Sequence, residues 1–530
     1  MALQIHAIPH PSEPLADKDR STAVPSVSQG IWLFFLLSAG LGLCQFIINI
    51  SLLDMGILSD ININFGARAM LAYDGAPPKL ENIGGIYPPI PYFLVLVFRD
   101  PIMAAAMAGG AVQAAIVCMI NSLRKAGSIG RLTELICIIC IMFLPQMLFV
   151  FTQRIDLSLT LCAFTLTIWS LRRVELYGRT YHLTLCSLCM ALLYLCDTAT
   201  FLLCLLFAPY IAKQGLKVHN SIIAVLVLTY LPLAFFAVIQ RPISLLFLGE
   251  TDPFTQWRDL LLVSQGLDMI EARPGQGSIV AALMETARRL SDISYMLAPW
   301  VAAWIIMIVR GGWRLLFSMH KYLLAPLLYC FWSLYLGTGI FERTSSAFLI
   351  FFAQALLLAT QDFSPSILPN TAKKNKKSSF IVALGMILGL AGGWVDMMHS
   401  PDRAEQQFIQ ALLHQQRDTR IDGLYSLFDA VHDTKGKILM DTERNMPLIF
   451  FSGTPRRFLL PYQLDYEMGL SLPAAYVDYV VVYADPAYDG IARKHPSVMH
   501  KKLVGFSCIA EQGKRLVFKR QDETAKDYLN

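Results

Sequence analysis

Leu53 to Val97 reads LDMGILSDININFGARAMLAYDGAPPKLENIGGIYPPIPYFLVLV, and it divides the first apolar helix from the second. The hydrophobic run ends at Leu53, and carboxylates follow at Asp54 and Asp60, where the chain leaves hydrocarbon. An amphipathic stretch then carries Arg68. A Gly/Pro-rich turn leads to Tyr87-Pro88-Pro89, after which the sequence is apolar again. Ionisable groups held at a membrane edge are costly, so this loop is where chemistry or transport is expected.

Working outward, the composition supports a membrane setting. Of 530 residues, 55% are hydrophobic and only 16% charged, against roughly 25% charged in a soluble chain. Apolar stretches long enough for bilayer helices fall near 31–53, 102–120, 132–151, 157–171, 182–197, 199–212, 220–239, 293–309, 322–338, 345–360 and 379–397. A shorter helix at 89–98 is expected to dip into the interface before the Arg99-Asp100-Pro101 elbow. Residues 1–30 are polar and hold four prolines, which predicts a disordered cytoplasmic tail ahead of an uncleaved first span.

Lysine and arginine set the orientation. One series of loops carries Arg124, Lys125 and Arg131, then Arg172, Arg173 and Arg179, and later Lys373, Lys374, Lys376 and Lys377. The opposite short connections hold little beyond Arg154 and Arg343. The basic side is therefore expected to be cytoplasmic, giving about eleven spans with the N-terminus inside and the C-terminus outside. The Asp54–Arg99 loop, the 240–292 loop and the tail then share one outer face. Ten of the eleven cysteines lie in apolar spans and read as packing residues, Cys137/Cys140 and Cys186/Cys189 included.

After residue 400 the chain changes character. Charge becomes dense, and apolar runs shrink to strand length at 437–440, 448–451, 479–483 and 515–518, with helical patterning over Ala404–Leu427. The expected architecture is mainly α: a polytopic helix bundle over 31–400, followed by a small extracytoplasmic α/β domain over 401–530. That domain reads as a lid or scaffold on the outer loops rather than as an independent catalyst.

An outward carboxylate beside a lipid-level cavity can act as general base. A nearby cation can hold the phosphate of a lipid-linked leaving group. Asp60 and Asp54 supply the acids. Arg68, Arg154 and Arg343 supply cations at outer positions, with Asp156 and Glu342 beside the last two. Each has a structural alternative. Ser59 or Asp60 can cap the helix predicted over 61–72, and Asp54 can be the polar end of a span. Arg68 can orient an acid without touching phosphate. Asp156 can cap the fourth span, and Arg343 can pair with Glu342 or snorkel. Tyr87-Pro88-Pro89 is in any case a stiff turn.

At these residues the sequence resembles the glycosyltransferase C superfamily of membrane enzymes, which use polyprenyl-phosphate sugars as donors. Aminoarabinose transferases of lipid A and protein O-mannosyltransferases carry an acidic pair in the first outer loop. An A-R-x-M-L helix, a glycine, a turn and a K/H-P-P-L step follow it. Here the counterparts are Ser59-Asp60, Ala67-Arg68-Ala69-Met70-Leu71, Gly75 and Tyr87-Pro88-Pro89-Ile90. Arg154-Ile155-Asp156 matches the family's second outer loop, and Glu342-Arg343 its late arginine.

The resemblance implies an inverting sugar transfer on the outer face of a membrane, expected to be a bacterial inner membrane. The acceptor would be a glycan, a lipid or a protein, with no nucleic acid involved. Two departures stand out. Ser59 replaces one acid of the pair, and a lone carboxylate is a poor cage for magnesium or manganese. No cofactor is therefore expected, with a divalent metal as the alternative. Tyr87 replaces a Lys or His, so it offers one hydroxyl and no charge. A secondary transporter or lipid flippase is the rival reading, and a non-enzymatic scaffold a second. The chain lacks the paired, Gly/Pro-interrupted halves common in transporters.

Overall fold

The computed structural model describes residues 27–76, 89–125, 129–177, 180–197, 200–215, 221–248, 278–292, 298–306, 372–400, 403–414, 419–432 and 436–521, with single positions at 308, 328, 331 and 335. The spans expected at 322–338 and 345–360 lie outside the described residues, positions 328, 331 and 335 apart, as does nearly all of the predicted N-terminal tail.

The first helix, α1 (Val27–Asp54), ends in a turn where Gly56 adopts φ +78°. Ile57 N–H donates to Leu52 O at 2.8 Å and Gly56 N–H to Leu53 O at 2.8 Å, which satisfies carbonyls the helix end would leave open. Then come α2 (Asp60–Asp74), α3 (Pro89–Phe98) and α4 (Pro101–Lys125). Asp100 caps α4 by accepting from Ile102 N–H at 2.9 Å, with Pro101 at the first helical position. α1 and α4 cross in close contact. A Cβ added to Gly110 would lie 2.4 Å from Gly42 N and 2.5 Å from Ser38 O, so only hydrogen fits between the backbones.

The bundle continues with α5 (Arg131–Met142), α6 (Pro145–Gln153), α7 (Ile155–Tyr177), α8 (Thr180–Cys196), α9 (Thr200–Leu206), α10 (Ala208–Gly215), α11 (Ile222–Leu248), α12 (Ile279–Asp292) and α13 (Ala372–Met398). Among the described residues three stretches, Trp32–Asp54, Pro101–Asn121 and Ser379–Met398, are long and apolar enough to cross a bilayer unaided. The stretch expected as one span over 132–151 is instead two helices, α5 and α6, meeting at 59°. Proline explains the break. Pro145 has no N–H to donate and disfavours helical backbone at Leu144, which sits at φ −67°, ψ 120°. The expected sixth span, 199–212, is likewise split into α9 and α10 around Phe207.

Two amphipathic helices, α14 (Arg403–His414) and α15 (Thr419–His432), lead into the α/β domain. Its strands are β1 (Ile438–Met440), β2 (Phe458–Leu459), β3 (Tyr479–Tyr483), β4 (Phe506–Gln512) and β5 (Arg515–Arg520), in the order β2-β1-β3-β5-β4. β2, β1 and β3 are parallel, whereas β5 and β4 are antiparallel additions. Parallel strands are covered on both faces, which is why Tyr-Val-Val-Val-Tyr reads as unbroken apolar sequence. The run at 448–451, expected as a strand, belongs to a helix, α16 (Thr442–Ser452). A four-residue apolar run does not distinguish strand from buried helix, and here Leu448 and Ile449 bury against the sheet.

Period-2 alternation divides the sheet. Leu439, Val480 and Val482 face one cluster, whereas Ile438, Met440, Tyr479 and Val481 face another. The second cluster includes Ala67 and Leu71 of α2. One face of the α/β domain thus reaches α2 through α15 and α16. Gln463 adds a polar tie, donating from Nε2 to Ala76 O at 3.0 Å.

Candidate active site

α2 begins at Ser59, whose backbone is extended at φ −66°, ψ 134° and whose Oγ accepts from Ile61 N–H at 3.2 Å. Ser59 is therefore the cap, and Asp60 is the first helical residue. There its carboxylate lies at the positive end of the helix dipole, half-buried. Capping, one of the two roles open to Asp60, is performed by its neighbour. Asp54 is the exposed last residue of α1, and no hydrogen bond or ion pair among the described residues brings it to Asp60.

The connection between α6 and α7 is a tight elbow. Arg154 ends α6, donating its N–H to Val150 O at 3.1 Å, and its own carbonyl accepts from Ser158 N–H at 2.9 Å. The guanidinium grips Asp156 with two parallel bonds, Nε to Oδ1 at 3.0 Å and Nη2 to Oδ2 at 2.9 Å. The two side chains are 12% and 10% exposed. Such a fork is stronger and more directional than a neutral hydrogen bond. Asp156 is thus engaged by charge as well as placed in the first turn of α7.

The start of α2 and the α6–α7 elbow meet. Ser59 N–H donates to Gln153 Oε1 at 3.0 Å, and Ile155 N–H donates to Asn62 Oδ1 at 3.3 Å. Residues 59 and 62 bracket Asp60, while residues 153 and 155 bracket Arg154. Asp60, Arg154 and Asp156, distant in sequence, are gathered into one seam. Gln153 and Asn62 were not singled out by sequence reasoning. The available signal was a pair of amides at the edges of apolar runs, each within two residues of a candidate.

Arg68 lies two turns further along α2, on the side facing α3. It is half-buried overall, but its guanidinium is deep enough that burial lowers its pKa to about 10, with Tyr92 nearby. It remains a cation at neutral pH. The same side of α2 places Ile61, Phe65 and Ala69 against Tyr92, Val95 and Leu96 of α3. Tyr87, Glu342 and Arg343 lie outside the described residues. Among the described residues no three His, Cys, Asp or Glu side chains gather as a metal cage would require.

Outside helices support the elbow. Gln146 of α6 donates from Nε2 to Gly393 O at 2.9 Å and to Asp396 Oδ2 at 3.3 Å, both on α13. Phe149 of α6 meets Phe408 of α14 edge-on, with ring centroids 5.2 Å apart.

The sequence matches no family model and no curated protein. The three-dimensional arrangement does match a solved structure, the crystal structure of ArnT from Cupriavidus metallidurans bound to undecaprenyl phosphate. The match covers 94% of this chain and 99% of that one, with a TM-score of 0.51 at 10% identity. This is the ArnT fold. The likeness is one of fold, and it runs across nearly the whole chain rather than residues 54–92 alone. In the ArnT fold of this protein, a helical membrane portion and a small sheet domain come together at α2, and α2 carries both Asp60 and Arg68.

Proposed function

We propose that this protein is a membrane glycosyltransferase that moves a sugar from a polyprenyl-phosphate donor to an acceptor on the outer face of a membrane. The observation that carries the reading is the seam in which a half-buried carboxylate, Asp60, is bracketed against a desolvated Arg154–Asp156 fork, in a chain with the ArnT fold.

The reaction is a single inverting displacement. Asp60 takes the proton of an acceptor hydroxyl or amine as its heteroatom attacks the anomeric carbon. The bond from that carbon to the phosphate oxygen breaks, and the polyprenyl phosphate leaves with the electron pair. Arg343, with Arg68 or Arg154, neutralises the departing phosphate, and Asp54 is the second choice of base. Positioned proton transfer of this kind contributes about 10²–10⁴-fold in rate. Asp60→Asn should therefore lose sugar transfer by that factor while keeping its expression and thermal stability. The assay is transfer of label from polyprenyl-phosphate hexoses and pentoses into a membrane extract. Wild-type activity in that variant removes Asp60 from the mechanism. Movement of lipid across the bilayer without bond cleavage favours the flippase alternative.

The orientation has its own test. Leu464, 99% exposed on the outer domain, is a labelling site once the free thiol of Cys508 is replaced by serine. Leu464→Cys should react with an impermeant maleimide added to spheroplasts. Labelling only after lysis would place the domain, and the seam with it, on the cytoplasmic side.

A further inference from the structure

The two bonds joining the outer loops have an unusual pattern. In a capping box, the residue three positions after the cap reaches back to the cap's own N–H. Asn62 occupies that position relative to Ser59 but turns away, accepting from Ile155 N–H at 3.3 Å. The N–H of Ser59 goes to Gln153, 94 residues distant, at 3.0 Å. Each helix start leaves backbone donors without an intrahelical acceptor. Here the acceptors come from across the seam: Gln153 at the end of α6 supplies one for the start of α2, and Asn62 of α2 supplies one for the start of α7.

A local box would satisfy the Ser59 donor without linking the loops, so the exchange does something further. Gln153 and Asn62 are both buried, at 2% and 0% exposure. Among the described residues nothing accepts from Asn62 Nδ2. A buried donor without an acceptor costs free energy that an apolar side chain would not. Apolar packing would also hold the helices together, but it is not directional. Two hydrogen bonds of opposite polarity, one on each side of Asp60, fix both the depth and the rotation of the first turn of α2.

We propose that Gln153 and Asn62 are positioning residues that hold Asp60 in register with the Arg154–Asp156 fork. This rests on the glycosyltransferase reading above. Loss of either strut leaves the donor site intact but lets the base drift. A misplacement of about 1 Å from reactive geometry can cost on the order of 10²-fold in rate.

The test uses the full-length protein and whichever polyprenyl-phosphate donor supports transfer. Gln153→Leu and Asn62→Ala should lower kcat by about 10–100-fold with KM for the donor unchanged. Asn62→Asp, which keeps an acceptor for Ile155 N–H beside a cationic residue, should recover most of the rate. Gln113→Leu, an equally buried amide on α4, should leave kcat alone. If Gln153→Leu does not fold, the Asn62→Ala and Asn62→Asp pair decides. Equal impairment of those two, or a rise in KM with kcat intact, overturns the positioning role. If Asp60→Asn is inert while Gln153→Leu keeps full kcat, the base stands and the clamp alone fails. Full transfer by Asp60→Asn, or no transfer by the unsubstituted protein from any donor, overturns the reading beneath it.

Discussion

Arg154 and Asp156 are two residues apart and joined side chain to side chain by a two-pronged bond at 3.0 and 2.9 Å. The elbow between α6 and α7 makes this possible, because residues two apart within one helix do not face each other. With only about a tenth of each side chain reaching solvent, the pair has given up most of its hydration.

Breaking it from one side is therefore expected to cost more than breaking a surface pair. Asp156→Ala leaves a nearly buried guanidinium without its counter-ion and should lower stability by about 3 kcal/mol. The double variant Arg154→Met, Asp156→Leu should regain much of that in a thermal melt of detergent-solubilised protein, because no charge is left stranded. It should not regain sugar transfer. Recovery of activity together with stability would reduce the fork to a structural element.

The contact between Gly66 and Phe450 sets how the α/β domain sits on α2. A Cβ on Gly66 would lie 2.8 Å from the Phe450 ring and 2.8 Å from Pro101 Cγ. Overpacking of this kind costs about 1–3 kcal/mol, and the better helix propensity of alanine returns about 1 kcal/mol. Gly66→Ala should therefore be mildly destabilising in a thermal melt. Phe450→Leu should relieve the strain in the double variant. A Gly66→Ala protein as stable as wild type would mean that the ring moves freely and does not fix the docking.

Stability should also depend on pH through Asp489. This fully buried carboxylate accepts from Ile491 and Ala492 N–H at 2.8 and 3.1 Å and from Tyr483 N–H at 2.7 Å. Burial, reinforced by the charge of Asp441, pushes its pKa up to about 7 against the pull of those donors. Because the folded value lies above the ordinary 3.8, the folded state holds the proton more tightly than the unfolded chain. Its contribution is full below about pH 4, falls as pH rises, and is gone above about pH 7. The total is on the order of 4 kcal/mol at about 1.4 kcal/mol per pKa unit. Thermal melts from pH 4 to 8 should show this fall, and Asp489→Asn should flatten it. An unchanged slope in that variant would assign the pH dependence to other groups.

The features legible in the sequence were those that depend on local pattern. The amphipathic helix expected over 61–72 is α2, 60–74, and the short helix expected over 89–98 is α3 at the same residues. The strand expected at 479–483 is β3, and that at 515–518 lies within β5. Long-range packing decided the others. Residues 448–451 are helical because α16 must cover the sheet from one side, and a short apolar run fits either state. The bend at Pro145 was signalled by the proline itself, which an average of hydrophobicity over the span conceals.

The site divides along the same line. Sequence alone determined which ionisable groups stand at the ends of apolar helices, because charge is expelled from hydrocarbon wherever the chain folds. It thereby placed Asp60, Arg154 and Asp156 among the candidates. Tertiary structure alone decided that Ser59 and not Asp60 caps α2, that residues 59–62 meet residues 153–155, and that the α/β domain rests on the helix bearing Arg68. The physical reason is reach. A cap or a fork is chosen among neighbours by local geometry, whereas an acceptor 94 residues away is supplied only when two helices pack.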